Sequence, residues 1–565
     1  MTFFQDAPKL SNTYRSDTPL REHLERLLPA EVLAEVEPEL EQIGEDAAST
    51  VLALGRAAEN ELPVHIAYDP WGRRIDEVKV SAAWTALHHY QAAHGMCALP
   101  YEGQWGEHAR VVQHAMIHLY SPSSAVYTCP MAMTDAATRV LIDHAEDEVR
   151  DRVVPRLTSR EPDAWTSGQW MTEREGGSDV GRTATRARKD VNGRWRLTGT
   201  KWFTSASTAD CALTLARPEG APDGSGALAL FLIERIDPVT GQSQVGDTIR
   251  VNRLKDKLGT KAVPTAELTL DGAFATPIGD PWAGRGLKRI SGMLNVTRAH
   301  NAMGAASGMR RGLDLAVAYA GIREAFGSAL IDLPLHVETL AQLAVEAEAA
   351  FALTVRVMEL TGRAEHGTAT ELEQGVLRGL LPVTKLLTGK DAVAHASEVL
   401  ESFGGAGYIE DTGLPQLLRN SQVLPIWEGT TNVLSLDLLR ATVKENALAA
   451  LLEDLTARLE HADAPGLDEP LRLVAAERDA LIALAAEWAG LSPDLVQAGM
   501  RSFAMRLGRA YTAALLIEHA AYRLAKHNDD RAAITARRYA RRWLDGTPMP
   551  TPTAEHLTDS RRLLV

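Results

Sequence analysis

The stretch Pro425-Ile-Trp-Glu-Gly-Thr-Thr-Asn432 sets one carboxylate, Glu428, on a glycine-containing turn just ahead of an apolar run that reads as helix. Held beside Trp427 at the mouth of that helix, Glu428 has the surroundings of a general base that removes a proton next to a carbonyl. The same residues also read as a plain capping turn, with Glu428 favouring the helix dipole and Thr430 or Thr431 as the cap. Four further segments carry chemistry in outline. Met171 to Val180 contains Thr172, Gly177 and Ser178, whose small size and amides suit close approach to a phosphate. Lys201-Trp-Phe-Thr-Ser205 ends a strand with Trp202 fit to lie against a flat heterocycle and Thr204 to donate to a ring nitrogen. Arg323-Glu-Ala-Phe-Gly327 offers a guanidinium able to grip a pyrophosphate. Glu401-Ser-Phe-Gly-Gly-Ala-Gly-Tyr408 brings Gly404 and Gly405 to a helix end, without the preceding strand that a dinucleotide fingerprint needs. Taken singly, each also reads as an ordinary turn or core strand.

The elements that must position these residues follow from periodicity. Residues 1–162 read as helical, with apolar spacing over Glu31–Ile43, Ser81–Met96 and Val149–Leu157. Residues 163–285 switch to short β-rich runs broken by Gly, Asn and Asp: Trp195–Thr204, Ala212–Ala216, Ala227–Ile233 and Ala266–Leu270. Val191-Asn-Gly-Arg194 predicts a two-residue hairpin between two of them, and the whole a small barrel or sandwich. Helix returns over 286–461, in long segments including Leu372–Ser402 and an unbroken Val433–Glu460. A Pro/Gly/Asp-rich break follows, then a further helical unit over 471–565 whose last twenty residues, with Pro548, Pro550 and Pro552, read as a loose tail. The fold class is α+β, mainly α.

The three cysteines are scattered without CxxC spacing, which points away from disulfides and cysteine–metal sites and toward a reducing, cytoplasmic setting. The start lacks a signal-peptide pattern, and no apolar run is long enough to span a membrane. His88, His89 and His94 lack a metal-binding arrangement and read as surface or core histidines. The formal net charge is −15, yet Ala498–Trp543 holds ten Lys or Arg against three acids, an excess of seven that leaves −22 elsewhere. That segment reads either as a surface for nucleic acid or as cations that pair with the acidic remainder.

In their joint order the five chemical segments resemble the acyl-CoA dehydrogenase superfamily of flavoproteins over roughly residues 80 to 445. The likeness is greatest to its AidB-like branch, associated with the DNA alkylation response. Cys129-Pro-Met-Ala-Met-Thr-Asp135, the GGSDV segment, Glu401, Trp427, Asn432 and the extra C-terminal helices carry that likeness. The resemblance implies an N-terminal helical domain, a middle β domain, a C-terminal four-helix bundle and an added helical domain. It implies FAD lined by Met171, Thr172, Gly177 and Ser178, with Trp202 and Thr204 against the isoalloxazine and Thr430 and Asn432 closing the pocket. Arg323, Phe326, Gly404 and Gly405 would reach the FAD of a neighbouring subunit in a homotetramer. Glu428 would be the base in α,β-dehydrogenation of an acyl-CoA thioester, with hydride passing to flavin N5 and Arg298 near the base. Glu401 stands where glutamine is usual, and Met171 where a smaller residue is. The AidB likeness also implies an alternative, a flavoprotein that binds double-stranded DNA through Arg440, Arg537, Arg538, Arg541 and Arg542. An acyl-CoA binding protein without turnover is a third reading.

Overall fold

A computed structural model describes residues 5–460, 462, 464–546 and 554–564. The chain forms two compact units. One gathers residues up to Ala48, Trp105–Pro122 and the chain from Asn301 onward; the other holds Ser49–Gln104 and Ser123–His300.

The second unit is built on a sheet. Its strands are β3 (Ser167–Gln169), β4 (Arg186–Lys189), β5 (Trp195–Ser205), β6 (Cys211–Pro218), β7 (Ala229–Glu234), β8 (Ile249–Leu254), β9 (Thr265–Phe274) and β10 (Thr276–Pro277). They lie in the order β10-β7-β6-β4-β5-β9-β8, with β3 parallel to β6. Strands β6 and β7 are buried throughout, which is why they are mostly apolar, with Thr214 and Arg217 as buried polar exceptions in β6, while β5 alternates. Trp170, Trp195, Leu197, Phe231, Leu268 and Leu270 are the bulk of the core. The β4–β5 connection is longer than the expected two-residue hairpin. Lys189 pairs with Trp195, and the carboxylate of Asp190 accepts the amides of Asn192 and Arg194 to hold a five-residue loop.

The N-terminal region is not helical throughout. It carries an antiparallel hairpin, β1 (Val64–Tyr68) with β2 (Arg74–Lys79), in the same unit as the sheet. The buried Asp76 carboxylate ties this hairpin to β8 through the amide of Val251 at 3.1 Å.

The first unit is helical. Pro334–Glu365 and Glu371–Ser402 are 32-residue helices, the latter opened by a capping box in which Thr370 and Glu373 satisfy each other. The expected helix over Val433–Glu460 is two helices, Thr431–Glu445 and Ala447–Glu460. Asn446, at φ +55°, takes the left-handed conformation that ends the first. Asp468–Trp488, Pro493–His527 and Arg531–Leu544 form the added helical part. The expected tail contains the helix Ala554–Arg562, where Ser560 is buried and donates to Glu338; Pro548, Pro550 and Pro552 lie outside the described residues. A 37-residue helix, Gly286–Ile322, gives its part up to His300 to the sheet-containing unit and the rest to the helical one. Among the described residues no helix is long and apolar enough to cross a membrane.

Candidate active site

Glu428 stands at φ +58° and Gly429 at φ +105°, so two successive residues with positive φ reverse the chain ahead of the helix Thr431–Glu445. A non-glycine residue there costs of order 1 kcal/mol, and the surroundings supply the restraint. Thr430 caps the helix, accepting the Val433 amide at 3.5 Å, so the turn is a cap and also the carrier of a half-buried carboxylate. The carbonyl of Gly429 accepts from the ammonium of Lys385 at 2.6 Å, on the helix Glu371–Ser402. Four residues on, Gly389 lets the same helix approach the segment: a Cβ there would meet the Leu424 carbonyl at 3.0 Å. Asn301 donates to that carbonyl at 3.3 Å. The indole N–H of Trp427 is buried without a protein partner. Asn432 is exposed, and its side-chain oxygen accepts from Arg501 at 3.2 Å.

In the other unit, the expected cofactor residues cluster where the loop after β3 meets β5. Met171 is buried, and the carbonyl of Thr172 accepts the Trp202 amide at 2.9 Å. Glu173 is the pin of this loop. Its carboxylate takes the amides of Ala184 and Thr185, the Thr185 hydroxyl and the Lys201 ammonium. Burial lowers the pKa of Lys201, against the pull of Glu173. Gly177 and Ser178 lie exposed on the outside of the loop. Trp202 carries two cations, the Lys255 ammonium 3.6 Å and the Arg174 guanidinium 5.2 Å from its ring centre. The Thr204 hydroxyl is fully buried and donates to Ala266 at 2.6 Å across the sheet, so it is committed to β9 rather than free for a ring nitrogen. Arg298 is buried on the helix Gly286–Ile322.

The helical unit displays the remaining residues outward. Glu324–Ala325 and Ser328–Ala329 form a minimal hairpin whose turn is Phe326 at φ +54° and Gly327 at φ +83°. Phe326 is 98% exposed at its tip. Arg323, at the hairpin base, donates to Gln5 at 3.3 Å. Gly404 and Gly405 begin a 3-10 turn, Gly404–Tyr408, and a Cβ on either would meet nothing within 4 Å.

Comparison with known proteins decides the lineage. Residues 284–443 match the C-terminal domain of acyl-CoA dehydrogenases and 168–273 the middle domain. Residues 6–164 match the N-terminal domain of the adaptive response protein AidB, and 446–556 the C-terminal-like domain of acyl-CoA dehydrogenase 11. Acyl-CoA dehydrogenase family member 11 of Caenorhabditis elegans is 42% identical over 534 residues, covering 92% of this chain and 86% of that protein. The chain belongs to the acyl-CoA dehydrogenase family. The crystal structure of the nematode protein in complex with C11-CoA superposes with a TM-score of 0.90 at 40% identity, covering 98% of this chain and 94% of that one. The putative acyl-CoA dehydrogenase AidB of Escherichia coli is 33% identical over 421 residues, 73% of this chain and 75% of its own. An acyl-CoA dehydrogenase of Bacillus anthracis, solved with FAD, shares the fold at 16% identity and a TM-score of 0.71.

In this acyl-CoA dehydrogenase the basic C-terminal segment is matched by acids of the same unit. Arg506 pairs with Glu477, Arg509 with Asp391, Arg523 and Lys526 with Glu25, and Arg531 with Glu22 and Glu348. Arg537 pairs with Asp559, Arg538 with Glu338, Arg541 with Glu469 and Arg542 with Glu346. Arg440 is 58% exposed and bonds Asp437 at 2.8 Å. Histidine–carboxylate clustering occurs at His23, Glu348 and His519, with ligand atoms within 4.8 Å of one another. Its two rings stack at 3.9 Å and 11°, so one ion cannot lie in both ring planes, and Arg531 already occupies Glu348. No sequence pattern marks Lys385, Glu173 or Lys201 as buried, since a buried charged residue reads like a surface one.

Proposed function

We propose that this chain is an FAD-dependent dehydrogenase that introduces an α,β double bond into an acyl-CoA thioester, with Glu428 as the base. The observation that carries the reading is Glu428 itself, a half-buried carboxylate on a positive-φ turn held by Lys385 and Thr430. Near full-length likeness to a relative solved with C11-CoA supports the substrate class.

The residues present fit FAD. The orphaned Trp427 indole N–H and the open glycines at 404 and 405 offer polar or main-chain surface that the protein itself leaves unused, and Gly177 and Ser178 stand exposed on the pinned loop. Met171, Thr172, Gly177 and Ser178 would hold the cofactor, with Trp202 against its ring system. Thr204 contributes wall rather than a hydroxyl donor, and Thr430 and Asn432 lie beside the base. Arg323, Phe326, Gly404 and Gly405 would reach the cofactor of a neighbouring copy, which makes the active form a homotetramer, at least a dimer. FAD, when bound, supplies the acceptor for the β-hydrogen. Glu428 takes the acidic Cα proton onto a carboxylate oxygen, Arg298 would add positive charge to the catalytic set as the family likeness implies, and the product is the enoyl-CoA. The three buried cysteines, none of them in a disulfide, suit a reducing cytoplasm.

The test is anaerobic bleaching of the flavin band by C11-CoA, beside short, branched and longer acyl-CoAs. Wild type bleaches; Glu428→Gln keeps its FAD and slows by about 100-fold or more. Undiminished bleaching by Glu428→Gln removes the base assignment.

A further inference from the structure

We infer that Lys385 is the positioning residue of the general base, an inference that rests on reading Glu428 as that base. Lys385 lies midway along the helix Glu371–Ser402, among buried Leu381, Val383, Leu386 and Leu387, and is itself fully buried. An ammonium taken out of water is costly, and a methionine of similar length would fill the same space without that cost. The return is visible at its tip, where Nζ donates to the Gly429 carbonyl at 2.6 Å in a charge-assisted bond.

That carbonyl belongs to the turn most in need of restraint. Glu428 at φ +58° and Gly429 at φ +105° are two successive residues in conformations that L side chains disfavour, and Gly429 is one that only glycine adopts readily. Without an anchor the pair would relax toward ordinary dihedrals and swing the Glu428 Cα–Cβ bond. The anchor is one of two on a single helix face. Lys385 and Gly389 are four residues apart, hence stacked on the same side. Gly389 admits the Leu424 carbonyl, which Asn301 also holds, while Lys385 grips Gly429. The base segment is thereby fixed at both ends, and the carboxylate is carried on a stretch with little freedom to drift. A base displaced by about 1 Å loses on the order of 100-fold in rate, so such a clamp acts on turnover more than on binding.

The test compares wild type with Lys385→Met and Lys385→Gln, each also in the Glu428→Gln background. Amide hydrogen exchange over Trp427–Asn432 reads the turn, and flavin bleaching by C11-CoA reads the chemistry. The expected result for Lys385→Met is exchange faster by about tenfold and bleaching slower by about 10- to 100-fold, with half-saturation and FAD content within about twofold. Lys385→Gln, which keeps a donor without the charge, should fall between and serves if the methionine variant does not fold. In the Glu428→Gln background the Lys385 change should slow bleaching no further, because its effect passes through the carboxylate. Unchanged exchange overturns the inference. So does an equal further loss in the Glu428→Gln background, which marks a general structural role, and so does unchanged bleaching when Glu428→Gln is inactive. Wild-type bleaching by Glu428→Gln instead overturns the base assignment, and the exchange data, which do not depend on it, tell the two failures apart.

Discussion

The ammonium of Lys201 lies 2.6 Å from the carboxylate of Glu173, and neither side chain reaches solvent. Lys201 sits on β5 and also donates to Leu215 on β6, so the pair ties two strands to the loop that carries Thr172, Gly177 and Ser178. Breaking a buried pair from one side leaves an uncompensated charge and costs about 3–5 kcal/mol. Lys201→Met is therefore expected to melt earlier and to be purified with less bound FAD, as read by thermal denaturation and flavin absorbance. A variant with unchanged melting and flavin content would show that the loop is held by its backbone contacts alone.

How much of this was legible depends on whether the signal is local. β5, β6, β7 and β9 announce themselves by alternation or by mostly apolar runs, because a pleated strand has a period of two whatever it packs against. The hairpin Val64–Lys79 leaves no such pattern, because its strands are mostly half-buried and never form an apolar run. The break at Asn446 turns on one residue in a left-handed conformation within an otherwise continuous helical pattern. Glu428 was legible as a carboxylate on a turn, but the lysine that holds the turn lies 44 residues away. The charge excess near the C-terminus was legible too, and its meaning was not, since Glu22 and Glu25 are some 500 positions distant from their partners.

Acid should weaken the helical unit through its buried histidines. His23 and His519 stack among Arg26, Arg523, Arg531, Asp17, Glu22 and Glu348; burial, helped by the neighbouring cations, pushes both pKa values well below the ordinary 6.5. Burial lowers His395 to about 4. A histidine with a depressed folded pKa is protonated in the unfolded chain first, so stability is full above about pH 6.5 and falls as pH drops below it. The slope is about 1.4 kcal/mol per pH unit for each histidine. Melting temperatures between pH 8 and pH 5 check this, and His395→Leu should flatten the acid limb. A flat profile would mean that these rings are solvated.

Arg531 is the hub of the C-terminal ion pairs, bonded to Glu22 and to both oxygens of Glu348. These carboxylates hold it firmly protonated, so its charge is spent inside the unit. Arg531→Met strands the buried Glu348 and leaves Glu22 to Arg523, and should cost about 3–5 kcal/mol, measured by chemical denaturation at neutral pH. A loss below about 1 kcal/mol would show that water reaches the pair.

The same pairing bears on nucleic acid. Arg537, Arg538, Arg541 and Arg542 each face a carboxylate, so binding phosphate means breaking an internal ion pair for each contact. Double-stranded DNA at near-physiological salt should therefore bind no more tightly than about 10⁻⁴ M, the weak end of non-specific association. Fluorescence anisotropy with a labelled duplex measures this. Tighter binding with a log–log salt slope of several units would show that the acids yield to phosphate.

Phe326 offers the most direct reading of assembly. A large aromatic ring at 98% exposure on a two-residue turn gains nothing within its own chain, while the turn holds the residue at φ +54°. Covering it with a second copy would recover the burial of an aromatic side chain, about 1.5–3 kcal/mol at each contact. Phe326→Ala should leave the melting of the isolated subunit unchanged, since no internal contact is lost. It should shift sedimentation toward smaller species on dilution, with FAD lost in parallel. If flavin is lost while the assembly persists, Phe326 contacts the cofactor without holding the interface. If neither changes, the exposed ring has no part in assembly.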